Sequence, residues 1–407
     1  MKTRVTLKEY GTICKNPSGI PLGYHHVDGE TFDRLERFVL ENRALGNGTD
    51  ALELMTVASR RGIGKIISAK NHVGVIAIPD GGQIEILPKF YDRDLESSDA
   101  QAKQIFLQML RTIEEIPNKQ FSKTNLSSEK NDILDIFIRM FIEETSALVK
   151  RGLKSDYEEH QDNEYFFKGK LQISRHLRLN AAHKERFYVA YDEYSMNQPE
   201  NRLIKTTVER LMKVSGRLKT RKDLYVLLTE LECVESSVYP EQDWAHVSAD
   251  RTVKEYKTIL GWCRLFLSGQ SFSPFRGDSL AYALLYPMEL VFERYIAELL
   301  KAKAEHPKIR VKVQYRMNYL FQKPTRFQLK PDVVVEGPSG VAVIDTKWKL
   351  LTHTPDYGIS QGDMYQAYAY GKKYGASSVY LIYKVFHRLR SQSYMIAETV
   401  LMFEYVF

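Results

Sequence analysis

The sequence predicts an α+β chain of several domains. Three observations carry this prediction. Apolar runs bounded by turn residues recur near the start, helical spacing dominates from about 98 to 154, and two short apolar strands precede a helical segment near the end. At 407 residues the chain is long enough for two or three domains. The expected divisions are a β-rich region over 1–97, a helical and hairpin region over 98–270, and an α/β region over 271–407.

The elements follow in order. Val73 to Pro79 is an apolar, largely β-branched run, Asp80-Gly81-Gly82 is a turn, and Gln83 to Lys89 alternates. A short helix is expected over Thr31 to Leu45. Ile105, Leu107, Met109 and Leu110, then Ile133 to Val149, read as helices, separated by a polar loop from Asn118 to Asn131. Phe166 to Arg178 is basic and alternating, which reads as a hairpin arm, and Phe187 to Ser195 follows it. Pro287 opens a helix running to Leu300, since proline suits the first helical turn. Val333 to Val335 and Val341 to Ile344 are strands around the turn Gly337-Pro338-Ser339-Gly340.

Composition narrows the class. The chain is 43% hydrophobic and 27% charged, which suits a soluble globular protein. No run of about 18 apolar residues is present to span a bilayer, and no membrane role is expected. The first ten residues lack an apolar signal core, and Cys14, Cys233 and Cys263 are too few and scattered for a disulfide framework or a cysteine zinc site. A reducing cytoplasm fits. The net charge of +7 is compatible with phosphate contact. Arg61-Gly62-Ile63-Gly64-Lys65-Ile66 is not a phosphate loop, because Ser59 and Ile66 stand where glycine and Ser or Thr are required. No nucleotide-hydrolysing site is expected.

The chemistry concentrates in Pro331-Asp332 and Asp345-Thr346-Lys347. Pairing the two strands brings Asp332 and Asp345 together, and alternation puts Asp345 and Lys347 on one face with Thr346 on the other. Two carboxylates suit a hard divalent cation such as Mg²⁺, and a neighbouring lysine can orient water and stabilise charge on a phosphate. The same residues also suit an ordinary buried strand with a solvated Asp and Lys at its end.

The pattern resembles the PD-(D/E)xK nuclease superfamily. Asp363, Gln366 and Tyr370, spaced for one helical face, resemble the extra Q-x-x-x-Y motif of its RecB-like branch. Tyr365 and Tyr368 of that segment read equally well as core residues. A glutamate on a preceding helix often completes the metal site in this superfamily, which points to Glu293, with Glu289 as the second choice. The resemblance implies that Asp332, Asp345, the Thr346 carbonyl and Glu293 hold Mg²⁺, that Lys347 acts on the water or phosphate, and that Gln366 and Tyr370 orient the site or contact double-stranded DNA.

An ordered set of further blocks resembles the McrC family, the nuclease subunits of McrBC modification-dependent restriction systems. These are Ile84-Glu85-Ile86-Leu87-Pro88-Lys89, Gly169-Lys170-Leu171, Tyr191-Asp192-Glu193-Tyr194-Ser195, Asn201-Arg202-Leu203-Ile204-Lys205, Phe292-Glu293, and Pro331-Asp332 through Lys347-Trp348-Lys349. The resemblance implies a hexameric AAA+ GTPase partner, McrB, which recognises modified cytosine, translocates DNA and is stimulated by the chain. Lys168, Lys170, Arg175 and Arg178 are the candidates for that stimulation. A solvated basic segment, or one touching DNA phosphates, fits the same four residues. A stand-alone nuclease and a non-catalytic activator of an AAA+ motor are the competing readings.

Overall fold

A computed structural model gives the structure. It describes residues 4–41, 54–78, 82–92, 95–96, 98–113, 132–247, 253–268, 282–304, 306–351, 356–384, 392–396 and 399–406. The turn at Asp80-Gly81, the loop Asn118–Asn131 and the end of the helix expected over Thr31–Leu45 lie outside the described residues. Contacts group the chain into two units, residues 1–136 with 269–407, and residues 137–268.

The first unit opens with β1 (Arg4–Lys8), β2 (Thr12–Cys14), β3 (His25–His26), α1 (Gly29–Glu41), β4 (Met55–Arg60), β5 (Gly64–Ala69), β6 (His72–Ile78), β7 (Gly82–Leu87), β8 (Tyr91–Asp92), β9 (Leu95–Glu96) and α2 (Asp99–Leu110). The β-branched run of β6 pairs antiparallel with β7, Gly74 facing Ile86 and Ile76 facing Ile84, and β1 lies parallel to β7. A second sheet has the order β3-β2-β5-β4. Phe32, Leu35, Phe38 and Val39 line one face of α1 and are buried with Ile13, Ile67, Ile76 and Ile84. Ser98 and Gln101 form a capping box that starts α2.

The second unit takes most of α3 (Ile133–Arg151), then β10 (Asp156–Glu164), β11 (Lys170–Leu171), α4 (Ile173–Leu179), β12 (Phe187–Ser195), α5 (Pro199–Val214), α6 (Leu218–Glu230), α7 (Pro240–His246) and α8 (Val253–Ser268). Its core is aromatic, with Phe137 against Trp262 and Phe141 against Phe266. The basic segment differs from expectation. The long partner of β12 is the acidic strand β10, while Lys170-Leu171 adds only two residues on the other side, and Ile173–Leu179 is helical. Alternation over Phe166–Arg178 is therefore no sign of an arm, because Asp156–Glu164 already occupies the strand edge. Gly169 has φ +63°, and a Cβ there would lie 2.3 Å from the Ala190 carbonyl oxygen, so the G-K-L block needs its glycine for close strand approach.

The rest of the first unit runs β13 (Tyr282–Pro287), α9 (Met288–Lys303), β14 (Arg310–Val313), β15 (Tyr319–Gln322), β16 (Thr325–Gln328), β17 (Val333–Gly337), β18 (Gly340–Leu350), α10 (Gln361–Tyr374), β19 (Ser378–Lys384), β20 (Gln392–Ile396) and β21 (Thr399–Val406). β13 pairs with β6 and completes the N-terminal sheet in the order β1-β7-β6-β13. It passes so close that a Cβ on Gly74 (φ +145°) would lie 1.9 Å from the Leu284 carbonyl oxygen. The chain's first 97 residues thus share a sheet and a core with the segment after 281. The remaining strands form a six-stranded sheet, β14-β17-β18-β19-β21-β20. β18, β19 and β21 are parallel, and α10 makes the crossover between the first two. Among the described residues no helix is long and apolar enough to cross a membrane.

Candidate active site

The site is built on the strand pair β17–β18. Val333 faces Ile344, which puts Asp332, immediately before β17, beside Asp345 on β18. Thr346 donates to Asp332 Oδ2 twice, from its backbone N–H and its hydroxyl, each at 2.6 Å. The threonine on the opposite alternation from Asp345 is thus the clamp for the other aspartate. Asp345 is 3% exposed. Lys347 Nζ lies 2.6 Å from Asp345 Oδ2 and 3.8 Å from Asp363 Oδ1.

α10 supplies the next layer. Ser360 and Asp363 form its capping box, so its first turn faces β18 with a fixed carboxylate. Gln366 accepts a hydrogen bond from Lys347 Nζ at 2.9 Å and donates to the Tyr370 hydroxyl at 2.7 Å, which donates to the Lys330 carbonyl at 3.1 Å. The spacing of three and four residues brings Asp363, Gln366 and Tyr370 to one face, as expected for a helix. Tyr365 and Tyr368 are exposed, so neither belongs to the core.

From α9, Glu293 joins the aspartates. Its Oε1 accepts from Gln314 Nε2 at 3.1 Å, and the Gln314 backbone N–H donates to the Asp332 carbonyl at 2.8 Å. Glu289, one turn earlier, is exposed, and its charge acts on Tyr10 instead. Burial pushes both aspartates up to about 6, aided at Asp332 by Glu293 and at Asp345 by Asp332, while Lys347 pulls each back. Burial, with the Asp345 charge close by, also raises Glu293. Burial, with both aspartates near, raises the Tyr370 hydroxyl. Burial works against the Lys347 charge, but Asp345, Asp363 and Asp332 outweigh it and hold its pKa above the ordinary value.

This donor set fits a hard cation. Asp332 and Asp345 stand side by side with the Glu293 charge acting on Asp332, and Asp345 Oδ2 has an ion contact to Lys347 but no donor aligned on it. Among the described residues no group of three or more His, Cys, Asp or Glu is placed to hold a metal ion by itself, so a cation here would rest chiefly on the two aspartates and on oxygens from outside the chain. Two strong carboxylates with open positions suit Mg²⁺, which keeps several waters and borrows oxygens from a phosphate.

A support behind the strand escaped sequence reasoning. Trp348 Nε1 donates to Glu9 Oε1 at 2.8 Å, and the Lys89 backbone N–H donates to Glu9 Oε2 at 2.9 Å. Lys384 Nζ lies 3.6 Å from Glu9 Oε2 and 3.9 Å from the centre of the Trp348 ring. Phe90 and Phe292 pack against the same indole. The only local signal was Trp348 between two lysines, since its partner Glu9 is 339 positions away.

A model of the family described as "McrBC 5-methylcytosine restriction system component" matches residues 67–384. The chain belongs to that family. The match takes in every carboxylate of the site, Lys347, Gln366 and Tyr370, while Glu9 falls outside it. No curated protein matches the chain. Among solved structures it is similar to a chain of a Thermococcus gammatolerans half-complex, refined from a tetradecameric assembly of McrB AAA+ hexamers with bound McrC. That likeness has a TM-score of 0.72 at 18% identity, over 99% of this chain and 94% of the other. A second, in the Thermococcus gammatolerans McrBC complex, has a TM-score of 0.48 at 18% identity, over 75% of this chain and 90% of the other.

Not every block that resembles the McrC family lies at the carboxylates. Asn201 is fully buried, donating to the Lys154 and Met196 carbonyls and accepting from Tyr256. Arg202 pairs with Asp243 at 2.6 Å, and Lys205 donates to the Val234 carbonyl. These residues staple the second unit together. Of the four basic candidates in that unit, Lys168 lies 3.5 Å from the Tyr191 ring centre and 3.2 Å from Glu164, and Arg175 donates to Gln161 and Tyr188. Lys170 and Arg178 are exposed on β11 and α4.

Proposed function

We propose that this chain is the DNA endonuclease subunit of a McrBC-like complex, cleaving methylcytosine-containing DNA by Mg²⁺-dependent phosphodiester hydrolysis. The observation that carries the proposal is buried Asp345 beside half-buried Asp332, with Lys347 held between Asp345 and Gln366. Mg²⁺ bound there would supply Lewis-acid polarisation of a phosphate and a more acidic water. Asp332, Asp345, Glu293 and the Thr346 carbonyl supply the oxygens. Thr346 holds Asp332 in place through Oδ2, which leaves its other oxygen for a cation. Lys347 keeps its proton and sets a positive charge where negative charge grows on the phosphate. Gln366 fixes the lysine's position, and Tyr370 ties Gln366 to the backbone just before Asp332.

The partner in this reading is a hexameric AAA+ GTPase of the McrB type, whose hydrolysis this chain stimulates through residues 98–270. The absence of a phosphate loop in the sequence supports that division, as does the composition of the β10–β12 pair. That pair carries Asp156, Glu158, Glu159, Asp162, Glu164, Asp192 and Glu193, which disfavours DNA phosphates and favours a protein surface. The test is cleavage of methylated and unmethylated duplexes by the purified chain, with and without a McrB-type GTPase. Cutting that needs the partner, GTP and Mg²⁺ supports the reading. Cutting without the partner points to a stand-alone nuclease, and stimulation without any cutting points to an activator alone.

A further inference from the structure

We propose that the hairpin β15–β16 is a DNA-contacting wedge, with Phe321 and Phe327 meeting the bases of a duplex and Arg316, Lys323 and Arg326 its phosphates. The inference rests on the nuclease reading above and names the surface by which that site would take its substrate.

The hairpin is exposed in a way that its composition makes conspicuous. Every residue from Phe321 to Phe327 is exposed, with Phe321 at 53% and Phe327 at 69%. The two rings pack edge to face at 5.9 Å, forming a small apolar tip in water. Phe327 also has φ +58°, a left-handed conformation in which bulky side chains are uncommon. A soluble surface gains nothing from such a pair unless something covers it.

Charge selects what covers it. From Arg316 to Lys330 there are four cations and no Asp or Glu. That contrasts with the acid-rich β10–β12 pair and matches a polyanion. Apolar rings beside basic side chains are the means by which wedge proteins engage base steps while neighbouring cations hold the backbone.

Position ties the wedge to the carboxylates. Leu329 N–H donates to the Asn318 carbonyl at 2.8 Å, which closes the hairpin's base, and Asn318 Nδ2 donates to the Lys373 carbonyl on α10. Arg316 donates to Gln314 Oε1 at 2.9 Å, and Gln314 in turn bonds Glu293 and the Asp332 backbone. A duplex seated on the tip is therefore registered to Asp332 through one residue, Gln314, whose side chain takes Arg316 and whose backbone N–H takes the Asp332 carbonyl. Pinning the base while leaving the tip bare is the arrangement expected of a contact element rather than of a packing element.

The test uses the full chain carrying Asp345→Asn, which removes a metal-binding carboxylate so that the duplex stays whole, titrated with a fluorescent duplex over a range of salt. Phe321→Ala with Phe327→Ala should weaken binding roughly tenfold and leave the salt slope unchanged. Lys323→Ala with Arg326→Ala should flatten the slope by about 0.9 for each phosphate that is no longer neutralised. All four positions are exposed, so melting temperatures should match the parent. Parent-like DNA binding by both variants overturns the proposal, as does a parent chain that binds no duplex at low salt. Loss of GTPase-partner binding with DNA binding intact also overturns it, because the tip would then be a protein contact. A chain that binds DNA through the hairpin but cuts under no condition removes the nuclease reading and leaves the wedge standing.

Discussion

The strand pairs β10–β12 and β17–β18 have the same local form and opposite chemistry. Both are antiparallel and carry carboxylates that the pairing brings together. In β10–β12, Glu159 faces Asp192 and Glu158 faces Glu193. Like charges opposite each other repel, but here they stand in water on a three-stranded sheet, with Tyr157 and Tyr194 exposed beside them. In β17–β18 the strands lie inside a six-stranded sheet, packed against α9 and α10, and Asp345 is buried beside half-buried Asp332. Burial, rather than the number of acids, turns a carboxylate into a group with a shifted pKa and an unsatisfied oxygen.

The largest difference between the two pairs is expected at β18. Asp345→Ala or Lys347→Ala should lower cleavage by about a hundredfold or more, because the proposed mechanism assigns a metal ligand to the first and a charge acting on the phosphate to the second. Glu193→Ala in the exposed pair should leave the cutting rate of the activated complex within a fewfold of the parent. Parent-like cutting by the Asp345 variant, in chains shown by circular dichroism to be folded, would remove the site assignment.

Stability provides the second contrast. Glu9→Ala strands Lys384, which is 3% exposed, without its carboxylate. Breaking such a buried pair should cost about 3–5 kcal/mol. Glu193→Ala should change stability by no more than about 0.5 kcal/mol, as exposed substitutions do. Thermal denaturation of the two variants side by side decides this, and equal melting temperatures would show that Glu9 supports nothing.

The third follows from the raised aspartates. A carboxylate whose pKa is higher when folded stabilises the metal-free protein below its unfolded value, about 3.9, and loses that contribution as pH rises through about 6. Metal-free protein should thus lose stability over that window, and Asp345→Asn should flatten the loss. Protons also compete for the same oxygens, so calorimetry should show Mg²⁺ binding that is weak near pH 5 and strengthens above about 6.

The smallest expected effect lies on the second unit. Charge reversal at Lys168, Lys170 and Arg175 together should reduce stimulation of the partner's GTP turnover severalfold while leaving Asp345-dependent Mg²⁺ binding unchanged. Full stimulation by the triple variant would place the stimulating residues elsewhere. A truncation near 270 is unsuited to this question, because it removes β13 from the sheet edge of β6 and takes Leu285 out of the N-terminal core.

Local order carries much of this molecule. The run Val333–Val335, the turn after it, the strand Val341–Ile344 and the helical spacing of Gln366 and Tyr370 are legible because periods of 2 and 3.6 are written in adjacent residues. So is the proximity of Asp332 to Asp345, which needs only a hairpin. The basic segment misleads because a strand's partner is chosen by the whole sheet, and β10 takes the place that alternation assigns to Phe166–Arg178. Asn201, Arg202 and Lys205 look like a functional block, and only their buried partners show them to be staples.

By itself, then, the sequence determined the strand pair, its acidic end and the helix that follows. Tertiary structure alone decided that Gln366 holds Lys347 and that Glu9 supports Trp348 from 339 positions away, and it leaves Glu289, the second choice, exposed beside the preferred Glu293. The reason is physical. Hydrophobic periodicity specifies which face of an element is buried, but the desolvation and charge pairing that shape a site depend on which elements close over that face.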